Sequence, residues 1–276
     1  MTYQELYKWG LGQLAEAGIA EADLDARLLL EEICGTNRSY LLVHGDEPVT
    51  EEQRESYVNY IEKRRSRIPL QHILGYQEFM GLRFKVTPDV LIPRQDTEIL
   101  VEEAMKHLHD GMHILDMCTG SGCILLSLLR YSNDCIGCGA DISEAALFVA
   151  GENAKNLNLE ADFIQSNLFE NVEGKYEIIV SNPPYIPTDV IPTLMEEVKD
   201  HEPMGALDGY DDGLYFYREI VKNAKDYLFL GGMLFFEIGC EQAEDVSGMM
   251  KEAGYQGVTV CKDLAGLDRV VYGTKL

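Results

Sequence analysis

One tetrapeptide of the 276-residue chain combines residue types that could hold a planar amino group. Asn182-Pro183-Pro184-Tyr185 follows directly on Tyr176–Ser181, an apolar run of strand length. Two consecutive prolines lack N–H donors and fix φ, so this turn is rigid and offers backbone carbonyl acceptors. An Asn amide and a Tyr ring beside those carbonyls are suited to gripping an –NH2 group. The tetrapeptide is therefore a candidate binding site for such a group.

A second candidate site lies earlier in the chain, where Cys118–Gly122 follows the apolar run Ile114–Met117 and leads into a helical segment. Glycines at a strand-to-helix turn let the backbone approach a ligand closely. Asp141 ends the next predicted strand, roughly 20 residues beyond the glycines, where an acidic side chain hydrogen-bonds the ribose of a nucleoside cofactor. No P-loop Lys follows the glycines. The pattern disfavours nucleotide hydrolysis and leaves a nicotinamide or an adenosyl cofactor open.

The elements that must position these residues alternate between strand-length apolar runs and helical segments from Met112 onward. Such alternation predicts parallel strands with helices on both faces of the sheet. The last two predicted strands, Gly257–Cys261 and Arg269–Gly273, are joined by too few residues for a parallel crossover, which needs about a dozen. We therefore expect the last strand to run antiparallel.

The first part of the chain predicts helices only. Apolar residues recur at helical spacing up to Gly35, a candidate C-cap, and Thr50 with Gln53 forms a capping-box signature for a third helix. Alternating short runs with turn residues between Gly75 and Pro93 predict a β-hairpin. The predicted organisation is a helical domain over residues 1–74, a hairpin linker over 75–93 and an α/β domain over 94–276.

Composition excludes several classes of function. The chain carries 23 Lys and Arg against 47 Asp and Glu, a net charge of −24, which repels a phosphate backbone. The N-terminus lacks the basic and apolar regions of a signal peptide, and no apolar stretch has membrane-spanning length, so we expect a cytoplasmic protein with no membrane contact. Its 7 cysteines fit reduced thiols. The lone pair Cys135 and Cys138 has no partner at zinc spacing, and no metal site is predicted.

Several stretches together resemble the release-factor glutamine methyltransferases, which are amino-methyltransferases that use S-adenosylmethionine. The resemblance covers nearly the whole chain, and its motifs stand in the order expected of that family. The stretches are Gly75-Tyr76-Gln77-Glu78-Phe79, Leu91 to Glu98, Asp116 to Gly122, Asp141, Asn182 to Tyr185, Glu202-Pro203 with Ala206-Leu207, and Asp212-Gly213-Leu214.

This resemblance implies a Rossmann-like seven-stranded methyltransferase domain and methyl transfer to the Gln side chain of the Gly-Gly-Gln motif in class-1 peptide chain release factors. It implies that Asn182 and the Pro183 carbonyl accept the two substrate N–H bonds and that Tyr185 offers a ring face, with Pro184 completing the substrate site. S-adenosyl-L-homocysteine would be the product, and a monomer is expected. The implied cofactor residues are Cys118, Thr119, Gly120, Ser121, Gly122, Asp141, Asn167, Leu168 and Asn182.

Three positions depart from the family's pattern. Cys118 stands where a Gly usually opens the loop, Asn167 stands where an Asp often reaches the adenine, and Gln95 replaces a common proline. Two other interpretations therefore stay open. One is a DNA adenine-N6 methyltransferase, since adenine also presents an –NH2 group, although the net charge and the lack of a basic recognition domain oppose it. The other is a non-catalytic adapter with a degenerate cofactor site.

Overall fold

The computed structural model describes residues 1–276, and the chain forms two compact units. Unit 1 comprises Met1–Gly75 together with Met195–His201, and unit 2 comprises Tyr76–Leu194 together with Glu202–Leu276. The hairpin that the sequence predicts as a linker is therefore part of unit 2, and a short segment from much later in the chain belongs to unit 1. No helix in either unit combines the length and the apolar composition needed to traverse a bilayer.

Unit 1 is built from helices joined by loops. Its capping box is confirmed, because Thr50 accepts from the Gln53 backbone N–H and the Gln53 side chain accepts from that of Thr50. Gly35 is also confirmed as a C-cap, with a left-handed φ of 60°. The helices are α1 (Tyr3–Glu16), α2 (Ala22–Cys34), α3 (Arg38–Val43), α4 (Glu51–Arg65), α5 (Leu70–Leu74) and, from the later segment, α9 (Glu196–Lys199).

The core of unit 1 lies between α1, α2 and α4. Tyr57 is fully buried there, and its hydroxyl donates to the Ala26 carbonyl at 2.9 Å. Gly10 allows this ring to approach α1, since a Cβ at Gly10 would stand 2.2 Å from the Tyr57 hydroxyl oxygen. The apolar residues around Tyr57 include Leu6, Leu14, Leu29, Leu30 and Ile61.

The basic cluster at the end of α4 is mostly paired within unit 1. Arg64 is only 8% exposed and contacts Asp25 at 2.7 Å and Glu197 at 3.0 Å. Arg67 contacts Glu197 at 3.3 Å. An acidic segment distant in sequence therefore covers Arg64.

Unit 2 contains a two-stranded hairpin and a seven-stranded sheet. The strands are β1 (Tyr76–Phe79) and β2 (Leu82–Lys85) in the hairpin, and β3 (His113–Met117), β4 (Ile136–Asp141), β5 (Asp162–Gln165), β6 (Tyr176–Ser181), β7 (Leu228–Glu237), β8 (Gln256–Lys262) and β9 (Asp268–Thr274) in the sheet. The sheet has the order β5-β4-β3-β6-β7-β9-β8, in which the first five strands are parallel and β9 pairs antiparallel with both of its neighbours. The predicted antiparallel last strand is therefore confirmed.

Helices cover both faces of the sheet, as parallel strands require. The helices of unit 2 are α6 (Glu98–Met105), α7 (Cys123–Arg130), α8 (Glu144–Leu157), α10 (Tyr215–Tyr227) and α11 (Ala243–Glu252). Alternate residues of β6 show this division: Ile179 packs in one apolar cluster with residues of α10 and α11, and Ile178 and Val180 pack in another with residues of α6 and α7.

The register of the parallel strands brings the candidate residues to one edge. Met117 pairs with both Ala140 and Ser181, and Ser181 pairs with Phe236. The next residue on each of these four strands is Cys118, Asp141, Asn182 or Glu237. The carboxyl ends of β3, β4, β6 and β7 therefore meet where open α/β sheets bind their ligands.

Candidate active site

A cavity of about 670 Å³ opens in unit 2 at this carboxyl edge. Its volume lies within the range of small-molecule sites. Nine of the residues predicted from the sequence line it: Cys118, Thr119, Gly120, Ser121, Asp141, Asn167, Leu168, Asn182 and Pro184. Gly122, Pro183 and Tyr185 are not among the lining residues.

The Gly-rich loop approaches the cavity through Gly120. Its φ is +55°, and a Cβ at this position would meet no atom within 4 Å, so backbone alone faces the open space. Gly122 instead allows close packing against Ala150, since a Cβ at Gly122 would stand 3.2 Å from the Cβ of Ala150. Gly122 also precedes α7, whose N-terminus adds a positive dipole end to this side of the cavity.

Asp141 holds the loop and lines the cavity. Its Oδ2 accepts from the Gly120 N–H at 2.9 Å, and its Oδ1 accepts from the Ser143 N–H at 2.9 Å. Burial raises the pKa of this carboxyl, and the two backbone hydrogen bonds oppose the rise. Each oxygen keeps a lone pair, so the group can still accept from a ligand hydroxyl.

Two of the three departures from the family's pattern, Cys118 and Asn167, lie along the cavity. Cys118 adopts a φ of +63°, the left-handed region that favours the glycine usual there. Burial raises the pKa of its thiol, so the sulfur stays protonated and neutral. Asn167 is exposed, and its side-chain amide donates to Glu170 Oε1 at 2.9 Å.

Asn182 presents an unsatisfied acceptor at the cavity. Its side-chain Nδ2 donates to Thr97 Oγ1 at 3.4 Å, and no group of the protein donates to its Oδ1. The preceding Ser181 is buried, and its hydroxyl donates to the Met117 carbonyl at 2.7 Å, which ties the start of the turn to β3. The Asn182 side chain can therefore accept a hydrogen bond from a ligand N–H.

Tyr185 is not among the residues that line the cavity. Its hydroxyl donates to Glu237 Oε1 at 3.4 Å, and its ring packs against the apolar cluster that contains α10. Burial raises the pKa of this hydroxyl above its ordinary value, so it remains a donor. The structure does not place its ring along the cavity, and Pro183 and Pro184 are both buried.

Several polar groups at this edge were not predicted as site residues from the sequence. Asp116 is fully buried, accepts from the Thr119 hydroxyl at 2.6 Å, and has one oxygen without a partner. Burial raises its pKa to about 7. Arg94 lines the cavity and contacts the buried Glu202 at 2.6 Å. Arg94 and Glu202 both lie in the stretches that carry the resemblance, which is the one signal that could have found them.

Aromatic side chains form another part of the lining that the sequence did not indicate. Tyr210 packs edge-on against Tyr215 with ring centroids 4.6 Å apart, and Tyr215 packs against Phe216 at 5.2 Å. All three residues line the cavity. They add partly exposed aromatic rings to the wall of the cavity.

Comparison with known proteins finds relatives for both parts of the chain. Residues 5–75 match the family described as PrmC N-terminal domain, and residues 94–198 match the methyltransferase small domain. The release factor glutamine methyltransferase of Geobacter sulfurreducens is 41% identical over 273 residues, covering 99% of this chain and 96% of that protein. The protein of the same name from Clostridium botulinum is 39% identical over 282 residues, covering both chains completely.

Solved structures show the same fold at low identity. A methyltransferase from Pyrococcus furiosus superposes with a TM-score of 0.54 at 17% identity, covering 71% of this chain and 89% of its own. The 16S rRNA N2 G1207 methyltransferase of Thermus thermophilus, solved in complex with AdoMet and guanosine, has a TM-score of 0.54 at 17% identity and covers 73% of this chain and 50% of its own.

Proposed function

The chain belongs to the release factor glutamine methyltransferase family, and on that premise we propose that its cavity binds S-adenosylmethionine beside a glutamine amide held by Asn182. The observation that carries this proposal is the strand register, which gathers the Gly-rich loop, Asp141 and Asn182 around one cavity. The acceptor is the Gln side chain of the Gly-Gly-Gln motif in class-1 release factors. The product N5-methylglutamine tunes translation termination.

The residues along the cavity fit this cofactor. The open backbone at Gly120 leaves room for the methionine portion, and the Asp141 carboxylate has acceptor capacity for the ribose hydroxyls. Asn167 and Leu168 line the part of the cavity that follows β5, where we place the adenine. When bound, S-adenosylmethionine supplies an electrophilic methyl group on a sulfonium. Cys118, being neutral, adds no charge beside it.

The chain's own part in the chemistry is to hold a weak nucleophile. A primary amide nitrogen shares its lone pair with the carbonyl group. Asn182 Oδ1 accepts one N–H of the substrate amide and the Pro183 carbonyl accepts the other, which increases electron density on nitrogen and aims it at the methyl. Because the nitrogen is aligned and made more electron-rich in this way, methyl transfer does not require a strong base to deprotonate the amide first. The rigid proline turn keeps the two acceptors at a fixed separation.

The test is methylation of a synthetic Gly-Gly-Gln peptide, read by mass spectrometry as the gain of one methyl group on Gln. We expect the parent protein to methylate it and Asn182→Ala to be slower by roughly 10²–10³, the cost of losing one oriented polar contact to a reacting group. Calorimetry should give the variant a nearly unchanged affinity for S-adenosylmethionine. A variant that methylates at the parent rate would rule out this role of Asn182.

We also propose that unit 1 docks the release factor. Its helix α3 carries Leu42 and Val43, an adjacent apolar pair whose side chains are 78% and 77% exposed. Exposed apolar side chains of this kind are typical of protein interfaces. In this proposal the protein acts as a monomer in the cytoplasm, where release factors work, and makes no direct contact with DNA.

A further inference from the structure

The loop that precedes α10 holds an aromatic residue in a backbone conformation that suits glycine. Tyr210 has a φ of +65°, in the left-handed region that is rare for a bulky residue. Tyr210 is also 51% exposed, so burial of its ring in the core does not explain why a tyrosine stands there. The residue lines the cavity, and the mechanism above does not use it. Strained residues of this kind cluster at functional sites.

Hydrogen bonds on both sides hold Tyr210 in this conformation. Its N–H donates to Asp208 Oδ1 at 2.9 Å, and its carbonyl accepts from the N–H groups of Thr188 at 3.1 Å and Gly213 at 3.3 Å. The same Asp208 oxygen accepts from the Thr188 hydroxyl at 2.6 Å. Both backbone polar groups of Tyr210 are therefore paired, and its ring is carried by a fixed backbone.

This loop lies against the chain that leaves the proline turn. Ile186 pairs with Asp208 in an isolated parallel bridge. A Cβ at Gly209 would stand 2.8 Å from the Cα of Tyr185, so the two backbones are in close contact. The loop thus follows the continuation of β6 and not the ends of β4 and β5, where we place the ribose and the adenine. Tyr210 is on the side of the cavity where we place the substrate glutamine.

Tyr210 and Tyr215 together form a surface at the mouth of the cavity, which we call the aromatic rim. Tyr215 is 41% exposed, and both residues line the cavity while remaining open to solvent. Phe216 packs behind them, with its ring centroid 5.8 Å from that of Tyr210. A glutamine side chain that reaches Asn182 from solvent leaves its main chain at this mouth.

We propose that the aromatic rim is the subsite for the main chain of the two glycines that precede the substrate glutamine, and that Tyr210 selects for them. This inference rests on the proposed function. A glycine has no Cβ, so its peptide planes can lie flat on a ring face, whereas the Cβ of another residue would hold the backbone away from the ring. Tyrosine rings offer large, rigid contact areas at a low cost in conformational entropy, and peptide N–H groups interact favourably with their faces.

The first test compares Tyr210→Gly with Tyr210→Phe. Glycine removes the ring and fits a φ of +65°, so we expect the KM for a Gly-Gly-Gln peptide to rise roughly 5- to 30-fold, the range for loss of an aromatic anchor. The melting temperature should not fall, because glycine relieves the left-handed strain. A tyrosine that served only the fold would give the opposite pair of results. Tyr210→Phe keeps the ring and should keep most of the parent's affinity for the peptide.

The second test changes the peptide. We expect the parent to methylate Gly-Gly-Gln with a kcat/KM at least roughly tenfold above that for Gly-Ala-Gln, the cost of one misplaced methyl group. Tyr210→Gly should lose most of this preference. Tyr215→Ala should also raise the KM for Gly-Gly-Gln, and it leaves the left-handed residue in place. Phe229→Ala is the matched control, since Phe229 is 43% exposed near the amino end of β7 and should keep the parent's KM and preference.

The outcomes separate this inference from the proposed function. If Asn182→Ala is slow while Tyr210→Gly and Tyr215→Ala keep the parent's KM and peptide preference, the aromatic rim is not the glycine subsite and the proposed function stands. Variants that weaken S-adenosylmethionine binding and leave the peptide KM unchanged would assign the rim to the cofactor and overturn the inference.

Calorimetric binding of the peptide to the protein saturated with S-adenosyl-L-homocysteine tests the rim without methyl transfer. We expect Tyr210→Gly to bind Gly-Gly-Gln roughly 5- to 30-fold more weakly than the parent does. Equal binding by the two proteins would overturn the inference. A parent that binds the peptide without methylating it would contradict the proposed function alone.

Discussion

Three carboxyl groups near the carboxyl ends of β3, β4 and β7 differ in how far hydrogen bonds compensate their burial. Asp141 lines the cavity and accepts from two backbone amides. Asp116 and Glu237 are fully enclosed, and each has one oxygen without a partner. Desolvation therefore raises the pKa of both enclosed groups to about 7. Of the three, Asp141 is the one available to a ligand.

Asp141→Ala should weaken S-adenosylmethionine binding by about 1.5–3 kcal/mol, the range for hydrogen bonds to a charged group. Calorimetry on the parent and the variant measures this directly. Asp162→Ala, an exposed Asp at the start of β5, is the control and should bind like the parent. Equal affinity of the parent and Asp141→Ala would remove Asp141 from the cofactor site.

The residues that could be predicted from the sequence are those that lie in local motifs. The Gly-rich loop, Asp141 and the proline turn each follow an apolar run, so their place at a sheet edge could be inferred. Thr97 and Glu237 could not be found in this way, because only the register of β6 and β7 and the path of the chain before α6 bring them to Asn182. No sequence pattern indicates which of two residues far apart in the chain donates a hydrogen bond to the other.

At the scale of elements, strands were easier to predict than short helices. The run Tyr176–Ser181 is a strand with those bounds, because buried parallel strands are continuously apolar. The helix Glu98–Met105 was not predicted, since it is short and a 3-10 turn precedes it. The segment Met195–His201 was not assigned to unit 1 either, because its place there depends on ion pairs with Arg64 and Arg67.

Two glycines of α1 should respond oppositely to Ala. Gly10→Ala places a Cβ 2.2 Å from the Tyr57 hydroxyl oxygen, and we expect the free energy of unfolding to fall by about 1–3 kcal/mol through overpacking. Gly12 has no atom within 4 Å of such a Cβ, so Gly12→Ala should raise it by about 0.5–1 kcal/mol. Urea unfolding measures both changes. Equal effects of the two substitutions would contradict the close approach of Tyr57 to α1.

The docking role of α3 predicts an effect on large substrates only. Replacing Leu42 and Val43 together by Ser should raise the KM for intact release factor roughly five- to thirtyfold, the cost of about 1–2 kcal/mol for an interface residue pair. The KM for a short Gly-Gly-Gln peptide should not change. Leu264→Ser is the control, since Leu264 is 99% exposed in unit 2. An unchanged KM for the intact protein would place docking elsewhere.

At the scale of the whole molecule, the excess of acidic residues affects both which partners can bind and how stable the fold is. The net charge of −24 opposes binding to nucleic acid, which agrees with a protein substrate. The same charge makes the folded chain repel itself at neutral pH. The enclosed carboxyls of Asp116 and Glu237 also make the fold less stable as pH rises, because burial favours their protonated forms.

Stability should therefore fall as pH rises from 6 to 8. With a folded pKa of about 7, Asp116 and Glu237 keep protons that the unfolded chain has released above pH ~4.5, so the unfolded state binds fewer protons over this window. Each carboxyl contributes about 1.4 kcal/mol of extra stability at pH 6 relative to pH 8, and this contribution is lost as pH passes through the folded pKa.

Urea unfolding at the two pH values in about 1 M salt, which screens the surface charges, isolates this effect. The difference between pH 6 and pH 8 should shrink by about 1.4 kcal/mol in Asp116→Asn and by the same amount in Glu237→Gln. A parent protein equally stable at both pH values would show that neither carboxyl is protonated in the folded state.

The discontinuity of unit 1 also has a consequence for synthesis on the ribosome. Its buried Arg64 is contacted by Asp25, which is made early, and by Glu197, which is made only after most of unit 2. At about 5–20 residues per second, Glu197 follows Gly75 by on the order of ten seconds. Until then Arg64 has one of its two carboxylate partners and lacks the segment that covers it, so unit 1 reaches its full ion-pair set late in translation although α1 to α5 are the first helices to leave the ribosome.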